Sequence, residues 1–443
     1  MSELDLRKLD RDIARAARAE RGYWRALRAD ATRAAEDDAW YDPVRYVTTR
    51  ATFQEIAALP ESDPMRAATL AWIHRLALTR IARTPIVALA LARQEAKLRL
   101  EQPEPGEHSV RSIVRRVLAE PDRRKARLWL EGLGAAPLPL LAHEKTLREA
   151  IREITARLGV ADPSVLDPLE RALVAQEAEQ LLRRTSDLAA SLFGRADDLA
   201  GLVAALVARE VPGVWPTKPD ARWLFERFQG TPLLHGLTLD VGPTPAALGA
   251  ASFARALARL GAAYARSAVL GAAPFVTSAD PTEVHPLRRG ALFGSLAADP
   301  VFLRKQLGLS RDAAGATSRA LAVTFLAALR LAAMGATVDL TGATAGSVAE
   351  ALEDALKVPV SRDLAGVFPR FALRSAERLV AMLLAHRDTV ELKVGFDDDW
   401  FRNPRGLLHL RELDAMPRAP KLPAEDWRGS VEPLVRALEA MAG

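Results

Sequence analysis

The side chains that could do chemistry are few and scattered. Seven histidines occur, at His74, His108, His143, His235, His285, His386 and His409, and no two share a helical turn. A zinc peptidase of the H-E-x-x-H type needs two histidines one turn apart on a helix, with a glutamate between them to activate water. His143-Glu144-Lys145-Thr146-Leu147 begins that pattern and ends it with leucine. The dipeptide then reads as the opening of a helix, where a carboxylate favours the positive end of the dipole. The chain has no cysteine. That excludes disulfides, thiolate zinc sites, iron–sulfur clusters and thiol nucleophiles. No G-x-S-x-G elbow is present, and Ser252 falls in a run of small helix-forming residues rather than at a strand–turn–helix corner. The phosphate loop G-x-x-x-x-G-K-[ST] is missing, and Gly132-Leu133-Gly134 lacks the third glycine and the strand of a dinucleotide site. No catalytic residue, metal ligand or cofactor can be assigned from a motif.

Three groups remain that could bind something. Asp397-Asp398-Asp399-Trp400-Phe401-Arg402-Asn403-Pro404 gathers carboxylates, aromatics and an arginine, as a cation or ligand site at the mouth of a cleft would. It also fits a loop whose aspartates cap the next helix and whose aromatics anchor it. His285-Pro286-Leu287-Arg288-Arg289-Gly290 could hold an anion at a proline-started helix, or present a solvated helix face. Asp280, Glu283, His285, His235 and Asp399 are the side chains from which a site could be assembled across the fold. Arg111, Arg115, Arg116, Arg123, Arg124, Lys125 and Arg127 form the densest basic segment, with only Trp129 nearby for base stacking.

These residues sit in a chain dominated by helix signals. Hydrophobic residues make up 49% and charged residues 26%, which is globular composition, and alanine and leucine supply most of the apolar content. Apolar residues recur at helical spacing over 3–38 and over Pro64–Leu100, where Pro85 marks a kink. They do so again over 108–118, 121–131, Glu144–Leu158, Pro163–Phe193 and Asp197–Val211. Small residues fill Pro245–Ala268, which predicts a central helix in close contact with its neighbours. Further helices are predicted over 283–297, 310–335, Thr341–Leu356, Arg370–His386, Pro404–Leu413 and Val431–Met441. Thr389–Val394 alternates as a strand would and could pair with Thr337–Leu340. The reading is all-α with at most a small hairpin, and no fixed-period repeat supports a solenoid.

At 443 residues the chain can form one large helical domain or several lobes. Pro212–Pro219 is the densest run of helix breakers and suggests a lobe over 1–211 and another over 212–443. The net charge of +5 is small for this length, and both signs alternate along most segments. The first residues are charged and carry no apolar signal region. Val323–Val338, the longest apolar window, contains Arg330 and is too short for a bilayer span. A cytoplasmic protein with no membrane span is the expectation.

The order of several segments resembles the helical body of the thimet oligopeptidase and oligopeptidase F family. The residues that carry it are Trp215-Pro216, Ala221-Arg222-Trp223-Leu224, Gly249-Ala250-Ala251-Ser252-Phe253, Gly261-Ala262-Ala263, Leu287-Arg288-Arg289-Gly290-Ala291-Leu292-Phe293 and Ala298-Asp299-Pro300. The resemblance spans about residues 160–410 and implies an all-α, two-lobed body around a deep channel. It departs from the family at the H-E-x-x-H motif, so the family's zinc ligands and general base have no counterparts here. The expectation is a non-catalytic helical protein that keeps peptide or protein binding. The alternatives are an enzyme with a site assembled from distant residues, and a nucleic-acid binder acting through Arg111–Arg127.

Overall fold

The computed structural model describes residues 5–32, 39–134, 146, 149, 153–154, 156–160, 169–207, 226–241, 249–269, 274–341, 345–367, 374–418 and 422–443. His143 and the Pro212–Pro219 boundary lie outside them. The first half holds α1 (Leu6–Ala29), a 3-10 segment (Ala39–Thr48), α2 (Arg50–Ala57), α3 (Pro64–Glu95), β1 (Lys97–Leu100), β2 (Gly106–Ser109), α4 (Val110–Ala119), α5 (Arg123–Gly134), α6 (Arg171–Arg184), α7 (Ser186–Phe193) and α8 (Leu199–Val207). The second half holds α9 (Ala250–Ala268), α10 (Phe275–Ser278), α11 (Val284–Ser295), α12 (Pro300–Leu307), α13 (Arg311–Thr341), α14 (Ala345–Leu356), α15 (Arg362–Val367), α16 (Ser375–Phe396), α17 (Pro404–Ala415) and α18 (Val431–Ala442). The fold is all-α with one antiparallel hairpin, β1 against β2, in which Leu98 faces His108.

Local chemistry sets the helix ends. Asp63-Pro64, Asp299-Pro300 and Asn403-Pro404 each open a helix in the same way. The first side chain accepts a hydrogen bond from a free backbone N–H of the first turn, and proline fills the position that needs no donor. Gly308 closes α12 at φ 68°, a conformation that costs glycine little.

Several expectations are corrected. Thr389–Val394 and Thr337–Leu340 do not pair as strands; they continue α16 and α13. The Thr389 hydroxyl donates to the Ala385 carbonyl at 2.9 Å, a bond to the preceding turn of a helix. Ala385, Asp388 and Leu392 are buried together at helical spacing while Val390 and Val394 face solvent, so the alternation in the sequence was not a strand period. The predicted 3–38 helix ends at Ala29. Asp42-Pro43 lies inside the 3-10 segment that follows. The long 163–193 helix is interrupted at Thr185, whose hydroxyl donates to the Leu181 carbonyl and accepts from Arg330.

Among the described residues three large cores hold most of the burial, with two small clusters beside them. One joins α4–α8 to α13, α14, α16 and α18, and includes Trp129, Leu326 and Trp427. A second joins α9, α11, α12 and α17 around Phe253, Phe293, Phe302 and Trp400. The third joins α1, α2, α3 and the 3-10 segment around Trp72, with Val276 of α10 inserted. Because the first core mixes helices from both halves of the chain, α13 and α16 act as shared walls. Arg330 stands in the middle of α13, fully buried. It donates to the carbonyls of Leu182, Asp354 and Ala355. Those carbonyls lie at the C-terminal ends of α6 and α14, which lack intrahelical donors. Among the described residues α13 alone is long and apolar enough to cross a membrane, and 67% of its most apolar window is buried inside the fold.

The expected central helix is α9, and it meets α11 almost backbone to backbone. A Cβ on Gly261 would lie 2.3 Å from the Arg289 carbonyl oxygen, and one on Gly290 would lie 3.0 Å from that of Ala258. The small residues of both helices are therefore a packing requirement, and they fix where the charged side chains of α11 point.

Candidate functional site

The N-terminal turn of α11 is the place where the sequence candidates meet. Asp280 organises it: its carboxylate accepts from the backbone N–H of Thr282 and of His285 at 2.7 Å each, and from the Thr282 hydroxyl at 2.6 Å. Glu283 sits in the left-handed region at φ 66°, a conformation worth of order 1–2 kcal/mol of strain for a residue with a Cβ. Its side chain explains why the turn holds. Arg266 of α9 reaches one carboxylate oxygen at 2.6 Å, Arg75 of α3 lies 3.7 Å from the other, and Arg374 stands 3.9 Å away. Burial alone would raise the Glu283 pKa, but the charges of Arg266, Arg75 and Arg374 bring it down to about 2. Arg75 also faces Glu20 of α1 at 3.4 Å, and Glu20 accepts from the Thr79 hydroxyl and the Trp24 indole. The loop before the turn is tied to the same helices. Asp10 accepts from the N–H groups of Phe275 and Val276, and the Trp72 indole donates to the Ala279 carbonyl.

A second chain of charges runs along the other face of α11. Arg288 makes a two-point contact with Asp388 of α16. Arg289 bonds Asp388 with one nitrogen and Asp414 of α17 with two others, at 2.5–2.9 Å. Arg289 is 3% exposed and Asp414 1%. Burial would strip the Arg289 proton, but Asp414 and Asp388 push its pKa up instead. The imidazole of His285 lies against this chain, with Nε2 3.3 Å from Asp414 but without hydrogen-bond geometry. Burial first, then Arg418, Arg289 and Arg288, hold its pKa well below the ordinary value, so the ring is neutral. The buried Tyr264 hydroxyl is pushed up by burial and by the Asp414 charge.

Neither Arg288 nor Arg289 therefore lies on a solvated helix face. Asp280, Glu283, His285, Arg288 and Arg289 lie within ten residues of chain, but they do not converge on one point: Arg288 and Arg289 share Asp388, Arg289 and His285 lie against Asp414, and Glu283 faces Arg266, Arg75 and Arg374. His235 is exposed in a turn of its own. Asp397 turns the chain at φ 69° and Asp398 lies 3.8 Å from Lys393. Asn403, rather than Asp397 or Asp399, caps α17. Trp400 and Phe401 are buried as anchors. Among the described residues no three His, Cys, Asp or Glu side chains are placed to hold a metal ion.

The basic segment is partly neutralised. Arg116 stacks on Trp129 and pairs with Glu104, Arg123 faces Asp197 and Asp198, and Arg127 bonds Asp198. Arg111 donates to the Ala29 carbonyl. Arg115, Arg124 and Lys125 are exposed.

Six residues that complete the two networks were not singled out from sequence: Glu20, Arg75, Arg266, Arg374, Asp388 and Asp414. A signal existed for some of them. Asp388 falls in the stripe Val380, Leu384, Asp388, Leu392, and Asp414 follows Leu407 and Leu410 at helical spacing. A charge in line with apolar positions predicts a buried partner.

No family model matches the sequence, and no curated protein matches it. The structure, however, superposes on the crystal structure of a Bacillus anthracis protein described as an oligoendopeptidase F. The TM-score is 0.54 at 12% sequence identity, over 92% of this chain and 85% of that one. The chain has the oligoendopeptidase F fold. At that identity the likeness establishes the fold, and the α11 turn has to be judged by its own chemistry.

Proposed function

We propose that this chain is a non-catalytic helical binding protein on the oligoendopeptidase F fold, taking a peptide or protein partner. The observation that carries the reading is the state of the groups best suited to catalysis. A general base must be free to accept a proton near working pH, and Glu283, at a pKa of about 2 between Arg266 and Arg75, is too weak a base. Asp388 and Asp414 are occupied by Arg288 and Arg289. These groups act as a framework joining α11 to α3, α9, α16 and α17. The name of the Bacillus anthracis protein describes cleavage of short peptides; peptide binding is the part of that activity that needs neither a metal nor a base.

The test is metal analysis of the purified protein, as isolated and after dialysis against zinc, together with incubation in a mixed peptide library read by mass spectrometry. We expect no stoichiometric zinc, no cleaved product, and retention of a subset of the peptides. Stoichiometric metal with hydrolysis would overturn the reading in favour of an enzyme. Retention of nucleic acid with a steep salt dependence, in place of peptides, would move the function to the Arg111–Arg127 segment.

A further inference from the structure

More cations collect around Glu283 than its framework role needs. Arg75 and Arg266 take one carboxylate oxygen each, at 3.7 and 2.6 Å. Arg374 stands 3.9 Å from the oxygen that Arg266 already holds. Arg21 of α1 is within electrostatic reach of Glu283, Arg266, Arg75 and Glu20, yet its side chain forms no hydrogen bond or ion pair among the described residues. The other acids at hand are committed elsewhere. Glu20 serves Arg75, Thr79 and Trp24, and Glu377 bonds Arg171 at 2.8 Å. Asp280 holds the backbone of its own turn.

Two guanidiniums thus lack the bonded carboxylate that a cation inside a protein requires. Burial pushes the pKa of both down, and neighbouring arginines add to it: Arg266 and Arg75 for Arg21, against the pull of Glu283, and Arg75 for Arg374. Water reaches them all the same. Arg374 keeps 42% of its side chain open and Arg266 33%, and Arg21 is half-buried. Side chains that are hemmed in by protein and still wet lie in a recess, here between α1, α3, α9 and the start of α16. Arg374 immediately precedes α16, whose first turn has no side-chain cap, so the positive end of that helix adds to the same field. A guanidinium offers parallel N–H donors that match the paired oxygens of a carboxylate or phosphate. We infer that this recess is a binding site for such an oxyanion, with Arg21 and Arg374 as its direct contacts. The anion can be an acidic side chain of a peptide, the source that the peptide-binding reading favours, or a free small anion.

The experiment uses the full chain with pyrophosphate alone and with two fluorescent peptides. The peptides share one sequence with an amidated C-terminus and differ only by glutamate or glutamine at one internal position. Arg21→Gln and Arg374→Gln are the test variants, and Arg402→Gln, at an exposed cation elsewhere, is the control. The glutamate peptide should bind roughly tenfold or more tightly than the glutamine one, the factor expected of a charge-assisted hydrogen bond. Arg21→Gln and Arg374→Gln should each erase most of that preference, while Arg402→Gln leaves it. Thermal unfolding is the second readout: neither arginine has a bonded carboxylate to lose, so neither substitution should lower the melting temperature. Pyrophosphate bound through the same two arginines, with no glutamate preference among the peptides, keeps the recess and makes its anion a free one; if no peptide binds at all, the peptide reading falls. Peptides that bind equally with glutamate and glutamine, with no pyrophosphate bound, sink the recess and leave peptide binding standing. An anion preference that both variants retain sinks it too. A melting temperature that falls by several degrees in both variants makes Arg21 and Arg374 part of the framework and overturns the assignment. Binding of no probe overturns both readings.

Discussion

Arg289 and Arg402 carry the same guanidinium into opposite settings. Arg289 is buried between α11, α16 and α17, where Asp388 and Asp414 balance its charge. Arg402 is exposed and makes no side-chain ion pair or hydrogen bond among the described residues. The difference follows from the cost of burial. Removing an ion from water costs several kcal/mol, so a cation persists inside only if carboxylates meet it in good geometry. At the surface water supplies that role until a ligand displaces it. A buried, balanced set of charges is thus evidence of framework, even where its residue types suggest catalysis. An exposed cation without a protein partner is held by water and leaves the fold little dependent on its charge.

The largest expected effect tests the framework side. Arg289→Met leaves Asp414 buried without its main partner, and should cost about 3–5 kcal/mol in the unfolding free energy. Urea denaturation measures it. In Arg289→Met with Asp414→Leu no unpaired charge remains at that end of the chain, while Arg288 still holds Asp388. Most of the loss should return. A single variant that loses less than about 1 kcal/mol would mean that the Arg288–Asp388–Arg289–Asp414 chain is not a structural element.

Much of the fold was legible because helical periodicity, proline caps and small-residue runs are local signals. The helix at Ala250–Ala268 and the capped starts at Pro64 and Pro404 follow from residues close in sequence, whereas α12, capped in the same way at Asp299-Pro300, was not anticipated. Asp280, Glu283, His285, Arg288 and Arg289 were recognisable as chemistry-bearing for the same reason. Their roles were not, because each role depends on a partner far along the chain: Arg75 for Glu283, Asp388 for Arg288, Asp414 for Arg289. The false strand at Thr389–Val394 shows the same limit. Its alternating residues looked two-sided, and only contacts from α11 and α13 decide that Asp388 and Leu392 share the inner face of α16.

Acid should expose the framework in two stages, with the sign set by which state binds protons. His285 titrates well below 6.5 in the folded chain because burial and then Arg418, Arg289 and Arg288 oppose its charge. His74 is lowered to about 4 by burial and by Arg171. The unfolded chain takes up these protons near pH 6.5 while the folded chain does not, so stability is full above that pH and declines below it. Glu283 adds a second loss. Its folded pKa of about 2 against 4.5 contributes about 3 kcal/mol that is present above pH 4.5 and disappears as pH falls through 2. Urea midpoints from pH 7.5 downward should fall before any carboxylate titrates, and His285→Gln should flatten that first limb. Glu283→Gln should be destabilised at neutral pH, with its deficit shrinking towards pH 2. A deficit independent of pH would remove Glu283 from the ion-paired framework.

The smallest expected change carries the other side of the comparison. Lys305→Glu and Arg402→Glu alter charges that have no partner among the described residues, so neither should shift the unfolding free energy by more than about 0.5 kcal/mol. Set against Arg289→Met, that contrast separates the two uses of a cation in one protein. A position whose charge matters for stability and not for binding belongs to the scaffold; one whose charge matters for binding and not for stability belongs to a site. If Arg402→Glu destabilises the fold as strongly as Arg289→Met, the exposed cation is held by interactions of its own and belongs to the framework.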